Sequence, residues 1–151
     1  MIDFTNCKED LCDYGGSEKK KKIIYNGEYY LLKFPDPLRE KGHEISYMNN
    51  TFSEYVGCKI FESVGIPVQE VILGKYIEEK SVDTLKEKIV VACKDFNVND
   101  NELIEFSALA NSITNLDKHF TPDIKDVYYI LNNLNYDFNK EEIIERFWDV
   151  F

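Results

Sequence analysis

The dipeptide Asn26-Gly27 constrains the fold of this 151-residue chain more than any other short stretch. It stands between two segments rich in isoleucine, leucine and tyrosine, 23–25 and 28–34. A two-residue type I′ turn needs positive φ at both central residues, and Asn-Gly is the pair that adopts it most readily. The sequence therefore predicts a β-hairpin.

Alternation along the second strand of this hairpin separates its side chains into two sets. Lys33 shares a face with Tyr29 and Leu31, whereas Leu32 and Phe34 point to the opposite face. One face of the predicted sheet therefore carries a cation. Lys33 is either an exposed lysine on a half-solvated sheet or a binding residue.

A helix follows the hairpin after a polar loop over 35–50. Thr51-Phe-Ser-Glu54 has the pattern of a capping box, in which Thr51 is the N-cap and Glu54 accepts from its amide. Gly65 and Pro67 indicate the end of a helix over 52–64. Apolar residues repeat every four positions along it: Phe52, Val56, Ile60 and Val64.

The remaining pattern predicts two further strands and then helices. Segments 68–76 and 89–93 read as strands, which we expect to be antiparallel neighbours of the hairpin. Helical spacing follows in three segments, 101–114, 122–134 and 140–151, with Asp100, Thr121-Pro122 and Asn139 as their expected starts. The expected fold class is α+β: an antiparallel β-sheet with one packed helix (1–96), followed by a helical segment of about three helices (97–151).

Charge is unevenly distributed along the chain, which has a formal net charge of −10. Residues 1–45 hold 8 basic and 9 acidic side chains, and residues 46–151 hold 10 basic and 19 acidic ones. An acidic body argues against nonspecific nucleic-acid binding, which needs a broad basic surface. Local basic residues on such a body suit a compact anion, such as nucleotide phosphates.

Targeting and redox signals are weak. No stretch approaches the roughly 20 apolar residues of a membrane span, so the expectation is a cytoplasmic protein without a membrane partner. The four cysteines, Cys7, Cys12, Cys58 and Cys93, are expected to be free thiols. A zinc site formed by Cys7, Cys12 and His43 is the less favoured alternative, since structural zinc sites have tighter paired spacing.

Three features occur in the same order along the chain as the ATP-binding elements of protein kinases. These are the glycine-bearing stretch Tyr14-Gly15-Gly16-Ser17, the strand lysine Lys33, and Glu54 on the following helix. In kinases, backbone amides of a glycine-rich loop approach the phosphates, and a lysine oriented by a glutamate binds them. The alternative for Glu54 is its capping role, and for Ser17 a local turn hydrogen bond.

A fourth feature makes the pattern more specific. The segment 90–96 leaves the predicted sheet just before the helical region, which is the position of the hinge in a kinase. In order along essentially the whole chain, six segments resemble the HipA-like serine/threonine kinases: Asp13-Tyr-Gly-Gly-Ser17, Leu31-Leu-Lys-Phe34, Ser53-Glu-Tyr-Val56, Gly65-Ile-Pro-Val68, Val91-Ala-Cys-Lys-Asp-Phe96 and Glu145-Arg-Phe-Trp-Asp-Val-Phe151. The resemblance implies the N-lobe of such a kinase and the first helices of its C-lobe.

The same resemblance implies roles for individual residues. Lys33 would contact the ATP phosphates, and Glu54 would orient Lys33. Gly15, Gly16 and Ser17 would form the mobile phosphate loop, and Ser17 is a candidate site of inhibitory phosphorylation. The residues expected to frame adenine are Ala92, Cys93, Lys94, Asp95 and Phe96.

The chain also departs from the family. HipA-like kinases carry a catalytic loop of the form Asn-x-Asp-Arg-His-x-x-x-Asn after a segment like 147–151, followed by a metal-binding aspartate, and no such loop occurs here. The stretch 115–119, Asn-Leu-Asp-Lys-His, imitates it but lacks the following asparagine. We therefore assign no catalytic and no metal residues, expect magnesium only with a complete C-lobe, and predict that the chain alone is inactive.

Two other function classes remain open. One is a non-catalytic interaction or regulatory module of a toxin–antitoxin-type system, with an antitoxin as partner. An apolar stripe at the end of the chain, in residues 143–151, would also suit self-association or packing on other helices: Ile143, Ile144, Phe147, Trp148 and Phe151. The second function class is a small DNA-associated partner protein. It is disfavoured because the acidic body lacks a basic face.

Overall fold

The computed structural model of the protein describes residues 1–11, 19–35, 50–81, 84–98, 104, 106–114, 123–135 and 139–150. These residues form six strands and four helices. The chain divides into two units, Met1–Asp100 and Asn101–Phe151. Among the described residues, the first unit contains the sheet and one helix, and the second contains three helices.

The six strands form one sheet in the order β1-β5-β6-β4-β3-β2. Their bounds are β1 (Ile2–Asp3), β2 (Lys8–Asp10), β3 (Lys20–Tyr25), β4 (Glu28–Lys33), β5 (Val71–Ser81) and β6 (Thr84–Lys94). Every pairing is antiparallel except that of β1 with β5. The predicted α+β class is confirmed, although the sheet is mixed rather than wholly antiparallel.

The hairpin predicted from Asn26-Gly27 is present as β3 and β4. Asn26 has a φ of 52° and Gly27 a φ of 85°, the positive values that the type I′ turn needs. Tyr25 pairs with Glu28 beside the turn. The predicted alternation in β4 is confirmed as well, because Tyr30 and Leu32 are buried and Tyr29 is exposed.

The next two strands are longer than the predicted segments 68–76 and 89–93, and β5 lies beyond β6 instead of beside the hairpin. The stretch 84–88, which contains lysines and a glutamate and precedes the predicted second strand, lies within β6. Its charges pair across the hairpin, as Lys75 does with Glu87 at 3.0 Å and Lys88 with Glu78 at 2.7 Å. Opposite charges on facing strands stabilise the ladder, which explains why a polar sequence extends the sheet.

The sheet is curled, because its two outer strands are joined by a short connection. Strands β1 and β2 lie at opposite edges but only residues 4–7 separate them. Five chain steps from Asp3 to Lys8 reach at most about 18 Å, whereas the edges of a flat six-stranded sheet are about 24 Å apart. The Thr5 Oγ1 atom accepts a hydrogen bond from the Ile77 backbone N–H at 2.9 Å, which fixes this connection to β5.

The concave face of the sheet holds the main core. Its fully buried members are Phe4, Ile23, Tyr30, Leu32, Phe34, Val90 and Ala92. Phe4 lies in the connection between β1 and β2, and its ring occupies the space beside Gly74 where any other residue would carry a Cβ. The missing side chain of Gly74 therefore makes room for the residue that fills the core.

Helix α1 (Asn50–Ser63) packs on the opposite face of the sheet. Tyr55 and Cys58 of the helix contact a second buried cluster made of Val71, Val91 and Cys93. The regular apolar stripe noted in the sequence lies on the other side of the helix: Phe52, Val56, Ile60 and Val64 are 42–66% exposed. The regular apolar stripe of α1 thus does not form its contact with the sheet.

The prediction was wrong for the start of α1 and right for its end. The helix begins at Asn50, whose Oδ1 accepts from the Thr51 amide at 2.9 Å, so Thr51 is inside the helix and is not its N-cap. The predicted end is confirmed: Gly65 has a φ of 81°, and the Ile66 amide donates to the Phe61 carbonyl at 3.0 Å. Glycine is suited to this left-handed position after a helix.

The second unit contains α2 (Phe106–Thr114), α3 (Ile124–Asn133) and α4 (Lys140–Val150). Its buried residues are Ala110, Ile130, Leu131 and Leu134. Helix α3 starts after Asp123, which forms a capping box with Asp126, rather than at the predicted Thr121-Pro122. The predicted start of α4 is supported, because Asn139 Oδ1 accepts from the Glu142 amide at 3.3 Å.

Candidate functional site

Lys33 and Glu54 form an ion pair between the sheet and α1. Lys33 is the last residue of β4, and Glu54 lies on the side of α1 that faces the sheet. The Lys33 Nζ atom is 2.5 Å from Glu54 Oε1, and each side chain is about a quarter exposed, at 26% and 27%. The pair is thus fixed by two packed elements and still open to solvent on one side.

This geometry tests the capping interpretation of Glu54. The capping-box interpretation is wrong, because the Thr51 amide bonds to Asn50 and the Glu54 carboxylate bonds to Lys33. A local pattern in the sequence was overridden by a contact 21 residues away. The predicted Lys33–Glu54 contact is present in the structure.

Two further lysines share the face that Lys33 occupies. The hairpin register places Lys20 directly opposite Lys33, and Lys22 two residues further along β3 on the same face. Both belong to the run of four lysines at 19–22, and no sequence pattern singled them out as neighbours of Lys33. The signal that would have found this neighbour is the Asn26-Gly27 turn, because a two-residue turn fixes the register of every following pair.

The other two lysines of the run face the concave side of the sheet. Lys19 pairs with Glu78, and its Nζ lies 5.0 Å from the centre of the Phe34 ring. Lys21 pairs with Glu9 and donates to the Tyr76 hydroxyl at 2.7 Å. Strand alternation therefore divides one charge run between two faces with different partners.

Asp95 binds the start of the hairpin to the end of β6. Its Oδ2 atom lies 2.9 Å from Lys22 Nζ, and the two side chains are 3% and 18% exposed. The Lys22 Nζ atom also lies 4.9 Å from the centre of the Tyr29 ring. The Asp95 amide donates to the Tyr29 carbonyl at 2.8 Å, so both its backbone and its side chain join β6 to the hairpin.

The other predicted adenine-framing residues lie in different surroundings. Ala92 is buried on the concave face, and Cys93 is buried on the α1 face, where its Sγ atom lies 3.4 Å from Glu54 Oε1. Phe96 is 52% exposed. The contact of Cys93 with Glu54 was not predicted, because sequence spacing alone does not show which residues of β6 meet α1.

Lys94 is engaged through both its backbone and its side chain. Its amide donates to the Glu70 carbonyl at 2.9 Å, and its carbonyl accepts from Gln69 Nε2 at 2.7 Å. Its Nζ atom lies 3.6 Å from a Glu28 carboxylate oxygen and 3.7 Å from one of Glu70. These bonds hold the end of β6 beside the segment that leads into β5.

Several predicted features fall outside the described residues. These are the phosphate-loop residues Gly15, Gly16 and Ser17, and the stretch 115–119 that imitates a catalytic loop.

Within the described ranges, no group of three or more His, Cys, Asp or Glu side chains is placed to hold a metal ion. Cys7, Cys58 and Cys93 are free thiols, and no described helix is long and apolar enough to cross a membrane.

Comparisons with known proteins found a similar sequence and a similar structure. The sequence is 40% identical, over 99% of this chain, to the serine/threonine-protein kinase CtkA of Helicobacter pylori strain J99. The crystal structure of the H. pylori proinflammatory kinase CtkA superposes with a TM-score of 0.78, at 39% sequence identity and over 99% of this chain. The predicted resemblance of this chain to serine/threonine kinases is confirmed by both comparisons. No protein-family model matches the sequence.

The similarity covers only part of the CtkA-type proteins. This chain spans 44% of the length of the curated H. pylori kinase and 48% of the crystallised chain. The shared part matches a kinase N-lobe-like structure, with the curled sheet, α1 and the helices that follow. The similarity supports a kinase-like fold for this chain.

Proposed function

We propose that this chain is the ATP-binding N-terminal portion of a CtkA-type serine/threonine protein kinase. Lys33 binds the nucleotide phosphates, and Glu54 holds its ammonium group in position. The Lys33–Glu54 ion pair between β4 and α1 is the observation that carries the proposal. The phosphate-loop residues Gly15, Gly16 and Ser17 are assigned by the resemblance alone.

The charges around Lys33 fit a polyphosphate better than a neutral ligand. Lys20 stands directly opposite Lys33, and like charges in facing positions of a sheet repel each other. An anion beside them removes that repulsion, and a nucleoside triphosphate brings several negative oxygens to one place. The same face includes Lys22, whose partner Asp95 ties this region to the end of β6.

The described hydrogen bonds also limit which backbone groups could contact adenine. The amides of Lys94 and Asp95 donate to the carbonyls of Glu70 and Tyr29, and the Lys94 carbonyl accepts from Gln69. We therefore propose that these backbone groups are not the adenine contacts, and that the exposed ring of Phe96 lies against the base. The buried side chains of Ala92 and Cys93 support this segment from behind.

A nucleotide titration of the purified 151-residue chain tests this proposal. We expect ATP binding by calorimetry and a loss of about 10-fold to 100-fold in affinity for Lys33→Ala, because a hydrogen bond to a charged group contributes about 1.5–3 kcal/mol. Lys75→Ala is the matched control, since Lys75 is also a strand lysine paired with a carboxylate, Glu87. An equal loss in the two variants, or no binding by the unmodified chain, refutes the proposal.

We further propose that these 151 residues do not transfer phosphate by themselves. Phosphoryl transfer also needs a residue that orients the attacking hydroxyl and ligands for magnesium, and the described residues offer no such ligand cluster. Incubation with radiolabelled ATP and a generic protein substrate should give no Lys33-dependent labelling of either protein. Labelling that Lys33→Ala abolishes would show that the chain is a complete catalyst.

The second candidate is a non-catalytic interaction module of a toxin–antitoxin-type system in the cytoplasm. The exposed apolar residues of α4 favour it: Ile143, Phe147 and Trp148 are each at least 36% exposed. Such a face suits self-association or an antitoxin. Light scattering over a concentration series tests self-association, and a pull-down with and without ATP separates a nucleotide-dependent contact from an independent one.

A further inference from the structure

We propose that Cys93 is a positioning residue whose thiol holds the Glu54 carboxylate in place for Lys33. The inference rests on the proposed nucleotide site and adds a third member to its ion pair. It gives Cys93 a role distinct from the adenine-framing role that the sequence suggested.

The contact joins three elements at one oxygen atom. Cys93 Sγ lies 3.4 Å from Glu54 Oε1, and this is the same oxygen that Lys33 Nζ approaches at 2.5 Å. Cys93 belongs to β6, Lys33 to β4 and Glu54 to α1. One carboxylate oxygen of the helix therefore accepts from two neighbouring strands, β4 and β6.

The thiol is protonated and can only act here as a donor. Burial, and then the negative charge of Glu54, raise the pKa of Cys93 to about 12. At neutral pH the sulfur therefore carries its proton, and the only charged acceptor that it contacts in the described residues is the Glu54 carboxylate. A thiol is a weak donor, but a charged acceptor and burial both strengthen the bond.

Cys93 is a more rigid anchor for Glu54 than Lys33 is. The Cys93 backbone pairs with Leu31 of β4 on one side and with Val71 of β5 on the other, and its side chain is fully buried. Lys33 is a long side chain that must also reach the nucleotide phosphates. A donor fixed to a central strand keeps the carboxylate oriented while the lysine ammonium moves between carboxylate and phosphate.

Nucleotide affinity of matched variants provides the first test. Cys93→Val removes the donor while keeping an apolar side chain in the strand, and we expect a 3-fold to 10-fold weaker affinity for ATP. Cys93→Ser keeps a donor and should stay within 2-fold of the unmodified chain. Cys58→Val is the control, because Cys58 packs in the same cluster and no described hydrogen bond joins it to Glu54.

Combining Cys93→Val with Glu54→Gln separates positioning from packing. If Cys93 acts through Glu54, the valine substitution should cause no further loss of affinity once the carboxylate has been replaced. The same 3-fold to 10-fold loss in both backgrounds would mean that Cys93 supports the fold only, and would overturn the proposal. An equal loss in Cys58→Val would overturn it too.

Infrared spectroscopy tests the hydrogen bond without any nucleotide. The difference between spectra of the unmodified chain and Cys93→Val isolates the S–H stretching band of Cys93, which should lie at lower frequency than the corresponding Cys58 band. Glu54→Gln should shift the Cys93 band upward. A Cys93 band that Glu54→Gln leaves unmoved would contradict the positioning role, whereas failure of the unmodified chain to bind ATP would reject the nucleotide site only.

Discussion

The two faces of the curled sheet are built from the same strands but differ in chemistry. The concave face is filled by aromatic and aliphatic side chains, and Phe4 completes it from the connection between β1 and β2. The α1 face combines a small apolar cluster around Cys93 with lysines and carboxylates that remain partly open to solvent. The first face thus supplies most of the core, while the second carries charges that remain partly open to solvent.

This separation depends on single-residue alternation in β3 and β4. Lys22 and Lys33 point to the α1 face, while Ile23 and Leu32 beside them point into the core. A shift of one residue in the hairpin register would bury the lysines and expose the core. The Asn26-Gly27 turn therefore determines the site as well as the sheet.

Neighbouring leucines on opposite faces give the strongest test of this comparison. Leu32 is fully buried on the concave face, whereas Leu31 is only half-buried on the α1 face. We expect Leu32→Ala to lower the free energy of unfolding by about 3–4 kcal/mol and Leu31→Ala by about 1 kcal/mol. Urea denaturation measures both, and equal losses would show that the faces are packed alike.

Two glycines test the crowding of the concave face. A Cβ at Gly74 would lie 2.3 and 2.6 Å from atoms of the Phe4 ring and 2.8 Å from the Ile2 carbonyl oxygen. We expect Gly74→Ala to lower the free energy of unfolding by about 2–3 kcal/mol.

Gly57, in the middle of α1, is the control for that substitution. A Cβ there meets nothing within 4 Å, so Gly57→Ala should raise the free energy of unfolding by up to about 1 kcal/mol through helix propensity. Thermal denaturation of both variants should shift in opposite directions. A neutral Gly74→Ala would mean that Phe4 can leave its place in the core without loss.

The polar rim of the concave face gives a smaller, pH-dependent effect. Hydrogen bonds from Lys19 and Lys88 lower the pKa of Glu78 to about 2, from an ordinary value of 4.5. A lowered folded-state pKa stabilises the protein above the unfolded-state value, and this contribution is lost as pH falls from about 4.5 to about 2. We expect a loss of about 1–2 kcal/mol over that range.

Glu78→Gln should remove this part of the acid dependence and lower stability at pH 7. Urea denaturation at pH 7, 4 and 3 would show it as a flatter profile for the variant. Parallel profiles for the two proteins would assign the acid sensitivity to carboxylates elsewhere in the chain.

Local signals in the sequence predicted the hairpin, the side to which Lys33 points and the end of α1 at Gly65, since each depends on residues close together in the chain. Contacts between distant segments were not visible. Strands β1 and β2 have two and three residues, too short for a periodic pattern, and form because the curled sheet brings its edges together.

Helix α1 shows how tertiary contacts replace a local preference. Its sequence contains both a capping box and an apolar stripe, and each predicts something about the helix that the structure does not show. The Thr51–Glu54 bond is replaced because Glu54 meets a lysine in the sheet. The stripe stays exposed because other residues of the helix, Tyr55 and Cys58, make its contact with the sheet.

The pairing of β1 with β5 has a consequence for the order of folding. Ile2 lies opposite Gly74, so the first strand cannot find its partner until more than seventy residues of chain are available. The hairpin and the β5–β6 ladder need only local contacts, which form faster than pairings between distant segments. The N-terminal segment with Phe4 is therefore expected to join last, closing the core after the lysine-bearing face has already formed.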